Sequence, residues 1–206
     1  MKLEVTEIFR SIEGETKTAG FPAVFVRLTG CNLNCRYCDS RYALVNGRQM
    51  SIAEIKLAVK KNLPAHHITL TGGEPLLQKD AAKLIDSLCS LDCNLQIETN
   101  GSLPLEGLNK AARFIVDVKT PSSGSGGSFL MENLNQLRPD DELKFVVCSE
   151  DDYTFACKFI ASNKPAAAVN LSPAAGLSRK KLAEWMLRDK LNARLNLQLH
   201  KLIGTM

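Results

Sequence analysis

Three cysteines lie close together in the chain, at Cys31, Cys35 and Cys38. Thiolates at this spacing suit zinc or an iron–sulfur cluster. Structural zinc normally takes four protein ligands, and the sequence offers neither a matching cysteine pair nor a histidine pair, so a zinc knob is the less favoured alternative. Three thiolates on a four-iron cluster leave one iron free to bind another molecule. The segment therefore predicts a metal centre with one open position.

The chain has seven cysteines in all, and the other four predict no second centre. An odd number in a chain of this size argues against a secreted disulfide framework. In apolar surroundings cysteine commonly behaves as a small buried hydrophobe. We expect that structural role for Cys89, Cys93, Cys148 and Cys157.

Further residues that could do chemistry lie where apolar runs end. Gly72 and Gly73 permit a close approach of the backbone to a ligand, because neither has a Cβ atom. Glu74 beside them can accept from an ammonium group. Arg27 is charged inside an otherwise apolar run, which makes a purely structural role harder to accept.

Short apolar runs alternate with amphipathic stretches along the chain. The runs predict strands over residues 23–28, 68–71, 95–99, 114–118, 143–147 and 167–171. The amphipathic stretches predict helices over residues 51–61, 80–91, 151–161 and 178–191. Ser51 and Glu54 have the spacing of a capping box at the first of these helices. Strands separated by helices imply parallel pairing with right-handed crossovers.

The strand pattern predicts the fold class. Most strands are continuously apolar, as expected when both faces of a sheet are covered. A complete eightfold barrel takes about 250 residues, so we predict an α/β fold with a shortened, partly open parallel (β/α)6-type barrel. We expect one domain over residues 1–206. The Gly/Ser-rich stretch at 121–128 is expected to be a mobile loop over the site.

Composition limits the classes of function. The chain is 45% hydrophobic and 23% charged, which is ordinary for a globular protein. A net charge of +4 neither demands nor excludes a nucleic-acid partner. Apolar runs are far shorter than the roughly 20 residues that span a bilayer. Because the N-terminus also lacks the features of a signal peptide, we expect a cytoplasmic protein with no membrane segment.

The cysteine spacing is C-x3-C-x2-C with the aromatic Tyr37 before the last cysteine, and a Thr-Gly-Gly-Glu-Pro segment follows at 71–75. This combination resembles the radical S-adenosylmethionine enzymes. The resemblance implies a 4Fe–4S cluster on the three cysteines, with the amino and carboxyl groups of S-adenosylmethionine on the unique iron. An electron from the cluster would cleave the sulfonium to methionine and a 5′-deoxyadenosyl radical.

Segments spread over nearly the whole chain narrow this resemblance. They lie at residues 9–15, 20–22, 25–31, 38–40, 98–101, 117–124, 143–147 and 198–201. They resemble the 7-carboxy-7-deazaguanine synthase family. Several members of that family have Gln where this chain has Glu13, and many have Gly at Thr16 and Thr at Ser40.

The resemblance implies a lyase that takes 6-carboxy-5,6,7,8-tetrahydropterin, abstracts a hydrogen atom from C6 and contracts the ring with loss of ammonia. Its product, 7-carboxy-7-deazaguanine, is a precursor of queuosine and related deazapurines. S-adenosylmethionine would be regenerated instead of consumed. A magnesium ion near the substrate carboxylate is also implied, with Ser40 as its protein ligand.

The resemblance assigns roles to individual residues of this chain. Those implied for S-adenosylmethionine are Tyr37, Cys38, Asp39, Gly73, Glu74, Glu98, Asn100, Asp117, Val118 and Lys119. Those implied for the pterin are Ile12, Glu13, Gly14, Arg27, Thr71 and His200, with Arg27 pairing to the substrate carboxylate. No catalytic side chain is implied beyond these ligands. The structural alternatives are turns at Ser40 and Asn100, a solvated Glu13, an Asp117–Lys119 ion pair and a structural His200.

Two other functions compete with this interpretation. A radical activase acting on a partner protein would share the cluster but would need neither the 11–15 segment nor magnesium. A metal-bound RNA-binding module is suggested by basic residues between 179 and 194, although acidic and apolar residues alternate with them as on a solvated face. We expect no direct nucleic-acid contact. The resemblance suggests a homodimer and an electron donor such as flavodoxin or ferredoxin.

Overall fold

In the computed structural model, which describes residues 1–205, nine strands form a single sheet. They are β1 (Lys2–Ile12), β2 (Pro22–Leu28), β3 (Arg48–Ser51), β4 (His67–Gly72), β5 (Asn94–Thr99), β6 (Arg113–Asp117), β7 (Glu142–Val147), β8 (Ala168–Pro173) and β9 (Arg194–Leu195). Their spatial order is β3-β1-β2-β4-β5-β6-β7-β8-β9. From β2 onward all neighbours are parallel, whereas β1 and β3 are antiparallel at one edge.

The α-helices of the described chain are α1 (Ile52–Lys61), α2 (Ala81–Cys89), α3 (Glu150–Asn163), α4 (Arg179–Arg188) and α5 (Leu199–Ile203). The predicted capping box is present at α1. The Ser51 hydroxyl accepts from the Glu54 N–H at 3.3 Å, and the Ser51 N–H donates to the Glu54 carboxylate at 2.7 Å. This cap pairs backbone donors that the first helical turn leaves free.

The six predicted strands and four predicted helices are all present, and the open parallel sheet confirms the predicted fold class. The unpredicted strands β1, β3 and β9 are the edge pair and a strand of only two residues. No α-helix occupies the crossovers from β5 to β6 and from β6 to β7 in the described structure. Short 3-10 turns at Pro121–Ser123 and Met131–Gln136 lie in the second of these crossovers.

The parallel arrangement gathers the candidate site at one edge of the sheet. The cysteine segment follows β2, the Gly-Gly pair ends β4, and the charged pair at 117 and 119 closes β6. Since parallel strands end on the same side, these segments become neighbours. Over residues 1–205, no helix has the length and apolarity needed to cross a membrane.

Candidate active site

An open cavity of about 720 Å³ lies at the carboxyl ends of the parallel strands. Its wall contains the three clustered cysteines and most of the predicted ligand residues, namely Ile12, Glu13, Gly14, Arg27, Tyr37, Asp39, Ser40, Thr71, Gly73, Glu98, Asn100, Asp117, Lys119 and His200. Glu74 and Val118 are predicted site residues that do not line it. One cavity therefore contains residues from both predicted ligand sets.

The cysteine segment forms one side of this cavity, and its three thiols are half-buried and free of disulfides. Cys31 Sγ accepts from the N–H of Leu33 at 3.4 Å and from the Asn100 amide at 3.8 Å. Among the described residues, no three His, Cys, Asp or Glu side chains converge to hold a single metal ion.

The Gly/Ser-rich stretch contacts the cysteine segment. The carbonyl of Ser123 accepts from the N–H of Arg36 at 2.8 Å, and the N–H of Ser122 donates to Asp152 on α3 at 2.9 Å. The stretch does not line the cavity, and its predicted role as a mobile loop over the site stays a prediction. Its hydrogen bonds attach it to the cysteine segment and to a helix, which the composition did not predict.

The Gly-Gly pair is packed tightly against the chain that leads to Cys31. A Cβ atom at Gly72 would lie 2.5 Å from the carbonyl oxygen of Leu28, and one at Gly73 would lie 2.3 Å from that of Gly30. Even alanine would therefore force the backbone apart at either position. The close approach predicted for these glycines exists between protein segments, and an approach to a ligand stays a prediction.

Glu74 is fully buried behind the cavity wall. Its carboxylate accepts from the Thr99 hydroxyl at 2.9 Å, the Leu76 N–H at 3.0 Å and the Asn100 N–H at 2.6 Å. Both oxygens therefore have protein partners, and the contact between this carboxylate and an ammonium group stays a prediction. Val118 likewise forms no part of the wall, and its N–H donates to the carbonyl of Lys144 at 2.8 Å.

Another part of the cavity wall is acidic and buried. Glu13 is only 2% exposed, which excludes the solvated alternative for this residue. Its carboxylate accepts from the Thr69 hydroxyl and from the Gln96 amide, each at 2.6 Å. Burial raises the pKa of Glu13 to about 7, and the nearby Glu98 contributes to this shift.

Lys144 on β7 is a buried site residue that the sequence analysis missed. Its ammonium group lies 2.8 Å from Glu15 and 3.6 Å from Asp117. Asp117 also pairs with Lys119 at 3.0 Å, so the ion pair considered as an alternative exists, inside the cavity wall. Burial opposes ionisation of Asp117, but the two lysines lower its pKa. The available signal was a lysine inside an apolar strand, the same signal that drew attention to Arg27.

Arg27 is oriented by two further residues that were not predicted, Glu7 and Tyr42. One carboxylate oxygen of Glu7 accepts from the Nε of Arg27 and from the Tyr42 hydroxyl, both at 2.8 Å. The guanidinium carbon is 6.0 Å from the centre of the Phe9 ring and 5.8 Å from that of Tyr42. Within residues 1–205 the terminal nitrogens of Arg27 make no hydrogen bond, so they remain available to a ligand.

The C-terminal segment closes the cavity over Gly14. The carbonyl of Gly14 accepts from the N–H of Leu199 at 2.8 Å, and the amide of Gln198 donates to Glu15 at 2.7 Å. A Cβ atom at Gly14 would lie 1.8 Å from His200 Nδ1. Glycine is therefore required where the first loop and the last helix meet.

Ser40 and Asp39 place two oxygen donors at the cavity rim. The Ser40 hydroxyl donates to Asp39 Oδ1 at 3.0 Å, and Asp39 Oδ2 lies 2.7 Å from Lys201. Burial opposes ionisation of Asp39, but Lys201 lowers its pKa. Oxygen donors of this kind suit a hard cation such as Mg²⁺.

Comparison with known proteins agrees with this geometry. Residues 25–124 match the model of the Radical SAM superfamily. A 7-carboxy-7-deazaguanine synthase from Koribacter versatilis is 41% identical, over 98% of this chain and 97% of that protein. A 7-carboxy-7-deazaguanine synthase from Methanospirillum hungatei is 40% identical, over 98% and 86%. The chain belongs to the 7-carboxy-7-deazaguanine synthase family.

Solved structures show the same fold. QueE from Escherichia coli has a TM-score of 0.82 and 22% identity, over 97% of this chain and 95% of that one. Streptococcus suis SuiB bound to the precursor peptide SuiA has a TM-score of 0.57 and 16% identity, over 82% and 46%. Membership in the synthase family confirms the predicted radical S-adenosylmethionine lyase, which implies a 4Fe–4S cluster and S-adenosylmethionine and does not favour the activase alternative.

Proposed function

We propose that this enzyme converts 6-carboxy-5,6,7,8-tetrahydropterin to 7-carboxy-7-deazaguanine with loss of ammonia, a step towards queuosine and related deazapurines. The observation that carries the proposal is that one cavity is lined both by three half-buried thiols and by Arg27 with buried carboxylates. A pterin acid offers N–H donors and a carboxylate, which need acceptors and a cation respectively.

The part of the wall that contains the cysteines is assigned to the cofactors and is called the cofactor wall. Cys31, Cys35 and Cys38 would hold the cluster, and the thiol set fits it because all three are free and reach the cavity. When bound, the cluster and S-adenosylmethionine supply the radical that removes hydrogen from C6 of the substrate. Contacts to S-adenosylmethionine are proposed for Tyr37, Cys38, Asp39, Gly73, Glu98, Asn100, Asp117 and Lys119, all in the wall.

A second set of wall residues, which includes Glu13, Arg27 and Thr71, is assigned to the pterin and is called the pterin wall. Arg27 would pair with the substrate carboxylate through its terminal nitrogens, because Glu7 already holds its Nε. Glu13 would accept from the N–H groups of the ring. Thr71 donates to Glu98 at 3.0 Å, so its hydroxyl oxygen would accept from the ring. Ile12, Gly14 and His200 complete this wall.

Magnesium is part of the same proposal, with Ser40 as its ligand. One hydroxyl, substrate oxygens and water suit a cation that seldom has an all-protein cage. Asp39 accepts from the Ser40 hydroxyl, but its charge is paired with Lys201, so the proposal for the cation depends on Ser40 and the substrate oxygens. A homodimer, a cytoplasmic location and an electron donor such as flavodoxin or ferredoxin complete the proposal.

The test is anaerobic reconstitution of the cluster, followed by incubation with the pterin acid, S-adenosylmethionine, Mg²⁺ and reductant. We expect the deazaguanine and ammonia in equal amounts, without net consumption of S-adenosylmethionine. An intact cluster with neither product would overturn the assignment. Cys35→Ala should lose the cluster and the activity together, whereas the matched variant Cys89→Ala, at a half-buried cysteine on α2, should keep both.

A further inference from the structure

The side chain of Lys144 is 10% exposed and lies where the two proposed ligand sets meet. Its ammonium group is 2.8 Å from Glu15, on the segment after β1, and 3.6 Å from Asp117, at the end of β6. A buried ammonium group is strongly unfavourable unless carboxylates compensate its charge. The two carboxylates do so, because burial disfavours the charged lysine but their attraction still raises the pKa of Lys144.

The two carboxylates depend on Lys144 to different degrees. Glu15 also accepts from the amide of Gln198 at 2.7 Å and from that of Asn196 at 3.4 Å. Asp117 has Lys119 at one oxygen, whereas its other oxygen is buried, makes no hydrogen bond in the described structure and lies nearest the ammonium group of Lys144. Lys144 is thus shared between a carboxylate of the first loop and one of the β6 end.

The ionisable groups that act on Lys144 come from several elements. They are Glu15, Glu98, Asp117 and Lys119, with Asp39 and His200 from the rim. Without Lys144, Asp117 would keep Lys119, whereas Glu15 and Glu98 would lose the cation that acts on them most strongly. Neighbouring like charges and burial both raise a carboxyl pKa, so Glu15 or Glu98 would take up a proton.

We propose that Lys144 is a positioning residue of the reaction, which holds Glu15 as a carboxylate in the pterin wall and joins that wall to the cofactor wall through Asp117. This inference rests on the proposed function. Lys144 acts through Glu15 and through the segment that Glu15 holds, since Gln198 of the C-terminal segment is bound to the same carboxylate. Glu15 is therefore proposed as a pterin-wall residue as well.

The first test is Lys144→Met in the reconstituted enzyme. Loss of one partner from a buried charge pair should raise the pterin KM roughly a hundredfold. We expect a smaller rise in the KM for S-adenosylmethionine, because Asp117 keeps Lys119. Lys144→Arg should recover part of the loss. Equal rises in the two KM values, or an unchanged pterin KM, would contradict the proposal.

The second test is the pairing of Lys144→Met with Glu15→Gln. A neutral amide needs no counter-charge. The rise in the pterin KM caused by Lys144→Met should therefore be on the order of tenfold smaller in the Glu15→Gln background than in the natural one. The same cost in both backgrounds would show that Lys144 does not act through Glu15. Lys158→Met, at an exposed lysine on α3, is the matched control and should change neither KM.

A third measurement separates this inference from the proposed function, because it needs no turnover. In urea unfolding of the cluster-free protein, the stability difference between the natural chain and Lys144→Met should grow as pH rises towards 7. The pKa values of Glu15 and Asp117 are lowered in the natural chain, whereas in the variant these buried carboxyls lack their cation and ionise at higher pH. A pH-independent difference would show that Lys144 contributes to stability through packing and not through its charge. If the natural enzyme forms no deazaguanine while this pH dependence is present, the proposed function fails and the charge linkage does not.

Discussion

Two regions of the cavity wall are held in different ways. One region, called the acidic floor, consists of Glu13, Glu15, Glu98, Asp117 and Lys144. These residues are buried or half-buried and are hydrogen-bonded or ion-paired to other strands. In the cysteine segment at 31–40, residues alternate between half-buried and exposed, and the thiols of Cys31 and Cys35 make only long contacts of 3.4 to 3.8 Å. The protein itself preorganises the floor, whereas the thiols have few protein partners, and the proposed metal–thiolate bonds would order the cysteine segment.

Removal of the metal is the strongest way to break this comparison. Chelation of iron from the reconstituted enzyme should abolish activity and raise amide hydrogen exchange across residues 31–40, on the order of a hundredfold. Exchange at residues 13–15 and 96–98 should not change, because protein hydrogen bonds hold them. The measurement is exchange followed by mass spectrometry. Equal deprotection of both regions would show that the floor also depends on the metal.

The next effect concerns the charge of Glu13. Because burial raises its pKa from 4.5 to about 7, the folded state holds this proton more tightly than the unfolded chain. The stabilisation of the folded state by this proton is about 3 kcal/mol. It is fully present below pH 4.5 and is lost as pH rises through 7.

Glu13→Gln is the matched variant for this effect, since an amide does not titrate. Relative to that variant, the natural protein should lose unfolding free energy between pH 4.5 and 7, as measured by urea unfolding of the cluster-free chain. Parallel pH profiles for the two proteins would mean that Glu13 titrates normally.

A smaller effect is expected where the floor meets the C-terminal segment. Gly14→Ala places a Cβ atom against His200, so it should destabilise the fold by about 1 to 3 kcal/mol and raise the pterin KM. His200→Ala removes the clashing ring. The double variant should therefore recover the stability of His200→Ala alone, and failure to recover it would place the strain elsewhere.

The smallest effect is expected at Thr16, which has a φ of 68°. This left-handed conformation is strained for a β-branched residue. Thr16→Gly relieves the strain but loses hydroxyl contacts to Thr18 at 3.0 Å and Gln96 at 3.4 Å, so the free energy of unfolding should change by less than about 1 kcal/mol. Thr18→Gly, without such strain to relieve, should destabilise more, and the reverse order would contradict this balance.

Much of the fold followed from pattern. Continuously apolar runs predicted the parallel strands, and the spacing of Ser51 and Glu54 predicted the start of α1. The edge strand β1 was missed because half of its residues are only partly buried and its pattern is irregular. β9 has two residues, too few for any period to show.

The site was predictable where one short segment contains the whole signal. The three cysteines and the Gly-Gly pair meet that condition. The residues to which the resemblance assigns a ligand role nearly all line the cavity. Glu74 did not, because its neighbours' backbone N–H groups bind its carboxylate. Such competition between a ligand and nearby backbone donors is decided by geometry, which the segment does not reveal.

By itself the sequence determined the six parallel strands β2 and β4 to β8, the three-cysteine motif and the resemblance to the synthase family. Tertiary structure alone decided which charged and polar groups meet. These pairs are Lys144 with Glu15 and Asp117, Glu7 with Arg27, and the Gln96 amide with Glu13. The physical reason is range. Thiol spacing acts within one loop, whereas burial and Coulomb attraction depend on distances between strands far apart in the chain, and these exist only once the sheet has formed.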